Sequence, residues 1–164
     1  MHPEDTEARD KFLFTLKWLL AVIKRHSGSV QFGLAHIDYK SSRILGETYG
    51  AQDASQRLDE VEHSLRKAFR KTDLVARDGV DFWILVPYTP TEEKFVDKIK
   101  YIIETVSQCG LQVVTRDISF FSLPLDGEGL NADYSSLEIL SYLKKNRIAL
   151  AHSEISLPAS EYSI

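Results

Sequence analysis

Residues 70–87 read RKTDLVARDGVDFWILVP, and this stretch determines how the rest of the chain is interpreted. Two short apolar runs, at 73–77 and 81–87, flank a tight turn that contains Gly79. Short apolar runs separated by a glycine turn are typical of a β-hairpin. The sequence therefore predicts an antiparallel pair of strands in the middle of the chain.

Helical and strand patterns alternate on both sides of this hairpin. We expect helices at 4–26, 53–70, from Thr89 to Gly110 and at 135–146, strands at 30–38, 111–123 and 148–154, and a polar turn at 40–50. This order predicts an α/β (α+β) sandwich, in which helices flank a mixed five-stranded sheet. The layout is ferredoxin-like, as in palm-type nucleotide cyclase domains. We divide the chain into an N-terminal helix (1–27), one domain (28–155) and a flexible tail (156–164).

Composition excludes several classes of protein. The formal net charge of -4 argues against nucleic-acid binding, which needs a basic surface. Cys109 is the only cysteine, so no internal disulfide forms and a zinc cluster is disfavoured. The apolar stretch from Phe12 to Ile23 is too short to span a bilayer, and we expect a cytoplasmic protein. His36 shares a strand face with Asp38, but no other histidine has ligand spacing, which favours a structural histidine over a metal ligand.

The hairpin region resembles the signature of GGDEF domains, the diguanylate cyclase family. In that family an R-x-x-D element leads through a strand to the GGDEF turn, and the next strand ends in proline, here Pro87. A second stretch, IDYKSSR at 37–43 followed by ETYG at 47–50, resembles the family's I-D-x-D-x-F-K motif and its sequel. The resemblance covers residues 28–154 and implies a domain of bacterial cyclic di-GMP signalling.

The departures from the family pattern imply a degenerate member. Counted back from Pro87, the signature is one residue short and reads Gly79, Val80, Asp81, Phe82, so a metal-binding carboxylate is missing. Asp38 matches the family's first metal-binding aspartate, but Lys40 replaces the second, which leaves Asp38 vestigial. The family's guanine-contacting residues fall at Gly46 and Ser55. Because the cyclase reaction needs divalent metal, we expect no catalytic residues, no bound metal and no resident cofactor.

One element of the family pattern is intact. Arg70 and Asp73 match the R-x-x-D inhibitory site, at which the resemblance implies binding of cyclic di-GMP, and Lys100 is the nearest basic residue on the next helix. Arginine can grip a phosphate or read a guanine edge, and aspartate can accept from the guanine N1–H. The alternative interpretation is a surface ion pair at the end of a helix.

The residues leave three functions open. The first is a silent GGDEF-like receptor that binds cyclic di-GMP through Arg70 and Asp73 and acts through a homodimer or a partner signalling protein. The second is a module for protein interaction or dimerisation that binds no nucleotide. The third is a residual diguanylate cyclase, which the missing carboxylate disfavours.

Overall fold

A computed structural model describes residues 3–26, 30–86, 92–125 and 134–160. The elements within these ranges follow in the order α1 (Pro3–Arg25), β1 (Phe32–Asp38), α2 (Ser42–Tyr49), α3 (Ala51–Ala68), β2 (Leu74–Asp78), β3 (Asp81–Val86), α4 (Glu92–Gln108), β4 (Arg116–Leu123), α5 (Ser136–Lys145), α6 (Arg147–Leu150) and β5 (Ser153–Leu157). The predicted fold class, a sandwich of helices on a five-stranded sheet, is confirmed.

The sheet has the strand order β2-β3-β1-β4-β5, and every neighbouring pair is antiparallel. The prediction of a mixed sheet was therefore wrong. Strands β1 and β2 do run in the same direction, as a strand–helix–strand unit requires, but β3 lies between them. Strands β3 and β4 are likewise parallel to each other and separated by β1. The ferredoxin-like connectivity thus gives an antiparallel sheet.

Strand β1 is the centre of the fold, because all seven of its residues are buried. Successive side chains of a strand point to opposite faces of the sheet, so β1 contributes to both apolar layers. One layer joins Ala35 and Ile37 to the inner sides of α2, α3 and α4. The other joins Phe32 and Leu34 to the inner sides of α1 and α5. Both faces of the sheet are therefore covered by helices.

The helices that were predicted at 4–26 and 53–70 are present, and each buries one apolar face. On α1 the residues Phe12, Leu16 and Leu19 are buried, and on α3 Leu58 and Val61 are buried. Helix α5 begins with a capping box, in which the Ser135 hydroxyl accepts from the Glu138 backbone N–H and the Glu138 carboxylate accepts from the Ser135 backbone N–H. The predicted start of the next helix, at Thr89, lies outside the described residues.

The C-terminal elements differ from the prediction. Residues 147–150 form the short helix α6 instead of a strand, and the last strand begins at Ser153 and continues to Leu157. Two residues that we assigned to the tail therefore pair with β4. Within the described ranges, no helix combines the length and the apolar character needed to cross a membrane.

Candidate functional site

The signature hairpin has the shortest common form of turn. Asp78 on β2 pairs directly with Asp81 on β3, which leaves Gly79 and Val80 as the two turn residues. Gly79 has φ 62°, a conformation that suits glycine at the first turn position of a type II′ turn. The turn itself therefore carries no carboxylate, and the acidic side chains of this region stand on the flanking strands.

Three aspartates lie side by side at this end of the sheet. Asp38 on β1 is directly opposite Asp81 on β3 and directly opposite Asp117 on β4. Neighbouring strands are about 4.8 Å apart, so the three carboxylates form a row on one face, which we call the aspartate row. Asp38 and Asp117 are buried, and Asp81 is partly buried. Such a concentration of buried negative charge requires cations close by.

The chain supplies those cations itself. Lys144 Nζ on α5 lies 2.9 Å from one carboxylate oxygen of Asp81 and 3.0 Å from the other. Arg147 on α6 donates to Asp38 at 3.2 Å and to Asp117 at 3.1 Å. The Nε of Arg147 is also 3.1 Å from Glu154 on β5. Lys40 forms an ion pair with Asp117. Each aspartate of the row is therefore paired with a basic side chain.

His36 is packed beneath this row. It is 0% exposed, and its ring stacks on Trp83 with the ring centroids 4.2 Å apart. Its Nε2 donates to Asp81 Oδ1 at 2.8 Å. Burial by itself would raise the pKa of Asp81, but the hydrogen bonds from His36 and Lys144 outweigh it and hold the pKa below its ordinary value. Asp81 is therefore ionised at neutral pH.

His36, Asp38 and Asp81 are close enough to share a metal ion, since one ligand atom from each lies within 4.8 Å of the others. Magnesium is held by one or two carboxylates together with water and substrate oxygens. Here both oxygens of Asp81 already bind Lys144, and those of Asp38 accept from the Lys40 backbone and from Arg147. A divalent cation would have to displace these positive groups, so the residues present do not fit the metal that the resemblance implies.

The R-x-x-D pair lies at the far end of α3, in the turn that leads to β2. We call residues 70–73 the RxxD turn. The side chain of Arg70 is exposed and makes no ion pair or hydrogen bond within the described part of the chain. Asp73 is buried, and its Oδ2 accepts from Lys98 Nζ at 3.2 Å and from the Arg70 backbone at 3.4 Å. Arg70 is therefore available to a ligand, whereas Asp73 already has a partner.

Of Lys98 and Lys100 on α4, it is Lys98 that lies beside Asp73. Two residues along a helix correspond to a rotation of about 200°, so Lys100 points to the other side, where it is exposed. The sequence did contain the signal: Lys98 precedes the buried Ile102 by four residues, which puts both on one face. Lys98 also lies over the ring of Phe69, with 5.4 Å from Nζ to the ring centroid.

Sequence reasoning missed most of the cations that pair with the aspartate row. Neither Lys144 nor Arg147 was assigned to these aspartates from the sequence, and Asp117 was not singled out. The partners of Arg147 on β1 and β4 are 109 and 30 residues away in the chain. Contacts of that range depend on strand order, so no local sequence pattern predicts them.

Comparison with known proteins gives structural matches only. No protein-family model matches the chain, and no curated protein matches it. The GGDEF domain of YfiN (TpbB) from Pseudomonas aeruginosa has a TM-score of 0.57 at 16% identity, covering 88% of this chain and 92% of that chain. The GGDEF domain of DgcB from Caulobacter crescentus, solved in complex with c-di-GMP, has a TM-score of 0.60 at 16% identity, covering 86% and 80%.

A third similar structure is a longer one. The S helix-GGDEF-EAL region of Vibrio cholerae LapD, bound to c-di-GMP, has a TM-score of 0.59 at 18% identity, covering 85% of this chain and 30% of that chain. Identities this low establish a shared fold and nothing about ligands. The antiparallel strand order, the central hairpin and these structural matches together identify the fold of this chain as that of a GGDEF domain.

Proposed function

We propose that this chain is a GGDEF-fold signalling domain that binds cyclic di-GMP at the RxxD turn and does not synthesise it. The proposal rests mainly on one contrast between two sites. At the aspartate row every carboxylate is paired with a basic side chain of the same chain. At the RxxD turn the guanidinium of Arg70 is exposed and has no partner among the described residues.

The aspartate row argues against synthesis. Joining two GTP molecules requires metal ions that neutralise the triphosphate and activate a hydroxyl. Lys144 and Arg147 stand where such ions would meet the carboxylates of Asp81 and Asp38. The positions that match the family's guanine contacts lie on α2 and α3, but Gly46 has no side chain and Ser55 offers only a hydroxyl. The chain therefore lacks the usual partners both of the metal ions and of the guanine base.

The RxxD turn has the chemistry that a guanine dinucleotide requires. A free guanidinium can bind a phosphate or the O6 and N7 atoms of guanine. Asp73 Oδ2 is held by Lys98, and a guanine edge would share or replace that contact. Lys98 would then be released toward a ligand phosphate. The structures of DgcB and LapD, whose fold this chain shares, contain bound c-di-GMP.

Calorimetric titration with cyclic di-GMP tests the proposal. We expect the wild-type chain to bind with micromolar affinity, which corresponds to about -8 kcal/mol. Arg70→Ala should weaken binding by about tenfold or more, because a hydrogen bond to a charged group is lost. Lys71→Ala is the matched control, since Lys71 is exposed in the same turn and carries the same charge. It should bind like the wild type.

Two results would contradict the proposal. One is the absence of heat with the wild-type chain, and the other is equal loss of affinity in Arg70→Ala and Lys71→Ala. A second pair of variants compares Lys98 and Lys100 on α4. Lys98→Ala should alter affinity because Lys98 contacts Asp73, whereas Lys100→Ala should leave it unchanged.

An incubation with GTP and magnesium or manganese tests the absence of synthesis. We expect no cyclic di-GMP by chromatography after prolonged incubation, while an active diguanylate cyclase run in parallel produces it. The reason is that no metal can reach Asp38 and Asp81 without displacing Arg147 and Lys144. Catalytic turnover in the wild-type chain would show that this pairing does not exclude metal.

A second function, a protein-interaction module, is favoured by a separate observation. Phe14 and Trp18 on α1 are 75% and 58% exposed, and they lie four residues apart on the outer face of the helix. Large apolar side chains side by side on a surface are typical of interaction sites. This function is compatible with ligand binding at the RxxD turn, which lies in the connection between α3 and β2.

A further inference from the structure

Arg116, the first residue of β4, is a buried cation that forms no ion pair with a carboxylate among the residues that the structure describes. It is 5% exposed, and its Nη2 donates to the carbonyl of Pro158 at 3.3 Å. Its Nε and Nη1 are buried and have no hydrogen-bond partner within the described part of the chain. Burial also lowers the pKa of this guanidinium. A buried charge that is not compensated is costly, so such a group calls for an anion.

Tyr39 supplies a second buried donor next to it. Because Asp38 is opposite Asp117, the next residue pair is Tyr39 and Arg116. Their side chains therefore lie beside each other on the same face of the sheet. Tyr39 is 0% exposed, its ring packs edge-on against Phe82, and its hydroxyl has no partner among the described residues. Burial is the main cause that raises the pKa of Tyr39, so the hydroxyl keeps its proton and can donate.

We propose that Arg116 and Tyr39 form a binding site for a small oxyanion, on the opposite face of the sheet from the aspartate row. The unpartnered Nε and Nη1 groups of Arg116 can only donate hydrogen bonds, and the Tyr39 hydroxyl can donate as well. The ligand that satisfies them must accept hydrogen bonds and carry negative charge. Phosphate and carboxylate groups have both properties, whereas water would leave the charge of Arg116 uncompensated.

The surroundings limit the size of the ligand. Tyr39 belongs to the apolar cluster that contains Leu111 and Val114, so little polar space is available on that side. On the other side, the segment 158–160 crosses the site, with Pro158 accepting from Arg116 and the Ser160 backbone donating to the Gln112 carbonyl at 2.7 Å. Access to Arg116 therefore requires a shift of this segment, and the site favours a compact anion.

Thermal unfolding of the full chain in increasing sodium phosphate, and separately in sodium acetate, tests this site. Sodium chloride keeps the ionic strength constant in both series. A ligand that binds only the folded state raises the Tm in a saturable way. We expect this for the wild-type chain. Tyr39→Phe keeps the ring against Phe82, and we expect it to need about five- to tenfold more anion, because one donor is lost.

Arg116→Met is the second variant, and its Tm should show no saturable response to either anion. A response to phosphate alone assigns the site to phosphoryl groups, and a response to acetate alone assigns it to carboxylates. If the wild-type chain shows no saturable response, or if Tyr39→Phe responds at the same concentrations as the wild type, the site does not exist. The outcome does not depend on cyclic di-GMP binding, since Arg70 is not involved.

Discussion

The ionised carboxylate of Asp81 stabilises the end of the sheet at which the aspartate row lies. Its carboxylate accepts from the buried His36 on one side and from Lys144 on the other. A carboxyl group whose pKa is lowered in the folded state stabilises that state above its unfolded pKa, which is about 3.9. This contribution is lost as the pH falls from about 5 through the lowered pKa. Asp117, whose pKa is also lowered, acts in the same direction.

We therefore expect the free energy of unfolding to fall between about pH 5 and pH 3. Asp81→Asn removes one of the groups responsible, so the decrease should be shallower in this variant. At pH 7 the same variant should be less stable by about 1–3 kcal/mol, because charge-assisted hydrogen bonds of a partly buried group are lost. Urea denaturation at pH 7, 5 and 3 measures both effects.

Asp78 provides the control for this experiment. It lies directly opposite Asp81 in the hairpin, but its side chain is 61% exposed and is 3.9 Å from Arg9. Exposed ion pairs contribute little to stability. Asp78→Asn should therefore follow the wild-type pH dependence, and a shallower slope in this variant too would show that Asp81 has no special role.

Residue-level prediction from the sequence succeeded where the relevant contact is local. Arg70 and Asp73 were expected at the end of the second predicted helix, and they lie in the turn between α3 and β2, where the Asp73 backbone donates to the Arg70 carbonyl at 2.9 Å. The partners of Asp73 and Asp38 depend on how α4 and α6 pack against other elements. Lys98 could be found from helix periodicity, whereas Arg147 could not, because its position follows from the strand order.

At the scale of elements, long segments with clear periodicity were predicted well and short ones were not. Helix α2 was expected to be a polar turn because its eight residues bury only Leu45 fully, too few for a periodic signal. Its start is nevertheless marked, since the Ser41 hydroxyl accepts from the Ile44 backbone as an N-cap.

The last strand was misplaced for a related reason. The apolar residues Ile148, Ala149 and Leu150 were interpreted as a strand, but they form α6, which buries none of its residues. The observed strand β5 has the alternating sequence SEISL, in which the side chains at Ser153, Ile155 and Leu157 are half-buried. For this strand, the alternation of half-buried and exposed residues was thus a better predictor than the local density of apolar residues.

At the scale of the whole molecule, the outer face of α1 predicts self-association. Phe14 and Trp18 are exposed together, whereas the opposite face of α1 is packed on the sheet. Burial of two large apolar side chains at an interface would favour a dimer. We expect sedimentation of the wild-type chain to show a dimer that forms with increasing concentration, and Phe14→Ser with Trp18→Ser to remain monomeric.

Tyr101→Ser is the matched control, because Tyr101 is 57% exposed but lies on α4. It should sediment like the wild type. A monomeric wild-type chain at all concentrations would remove α1 as a self-association surface. If Tyr101→Ser lost association equally, association would depend on exposed apolar side chains in general and not on α1.

The burial of β1 on both faces has a consequence for how the protein melts. Each helical layer shields one side of this strand, so the loss of either layer would expose half of its side chains to water. Strands β3 and β4 contribute to both layers in the same way, so we expect the two layers to unfold together as one cooperative unit. Cleavage of the chain at residue 27 would thus remove α1, and with it part of the layer that covers one face of β1, from a domain that unfolds cooperatively only when this layer is present.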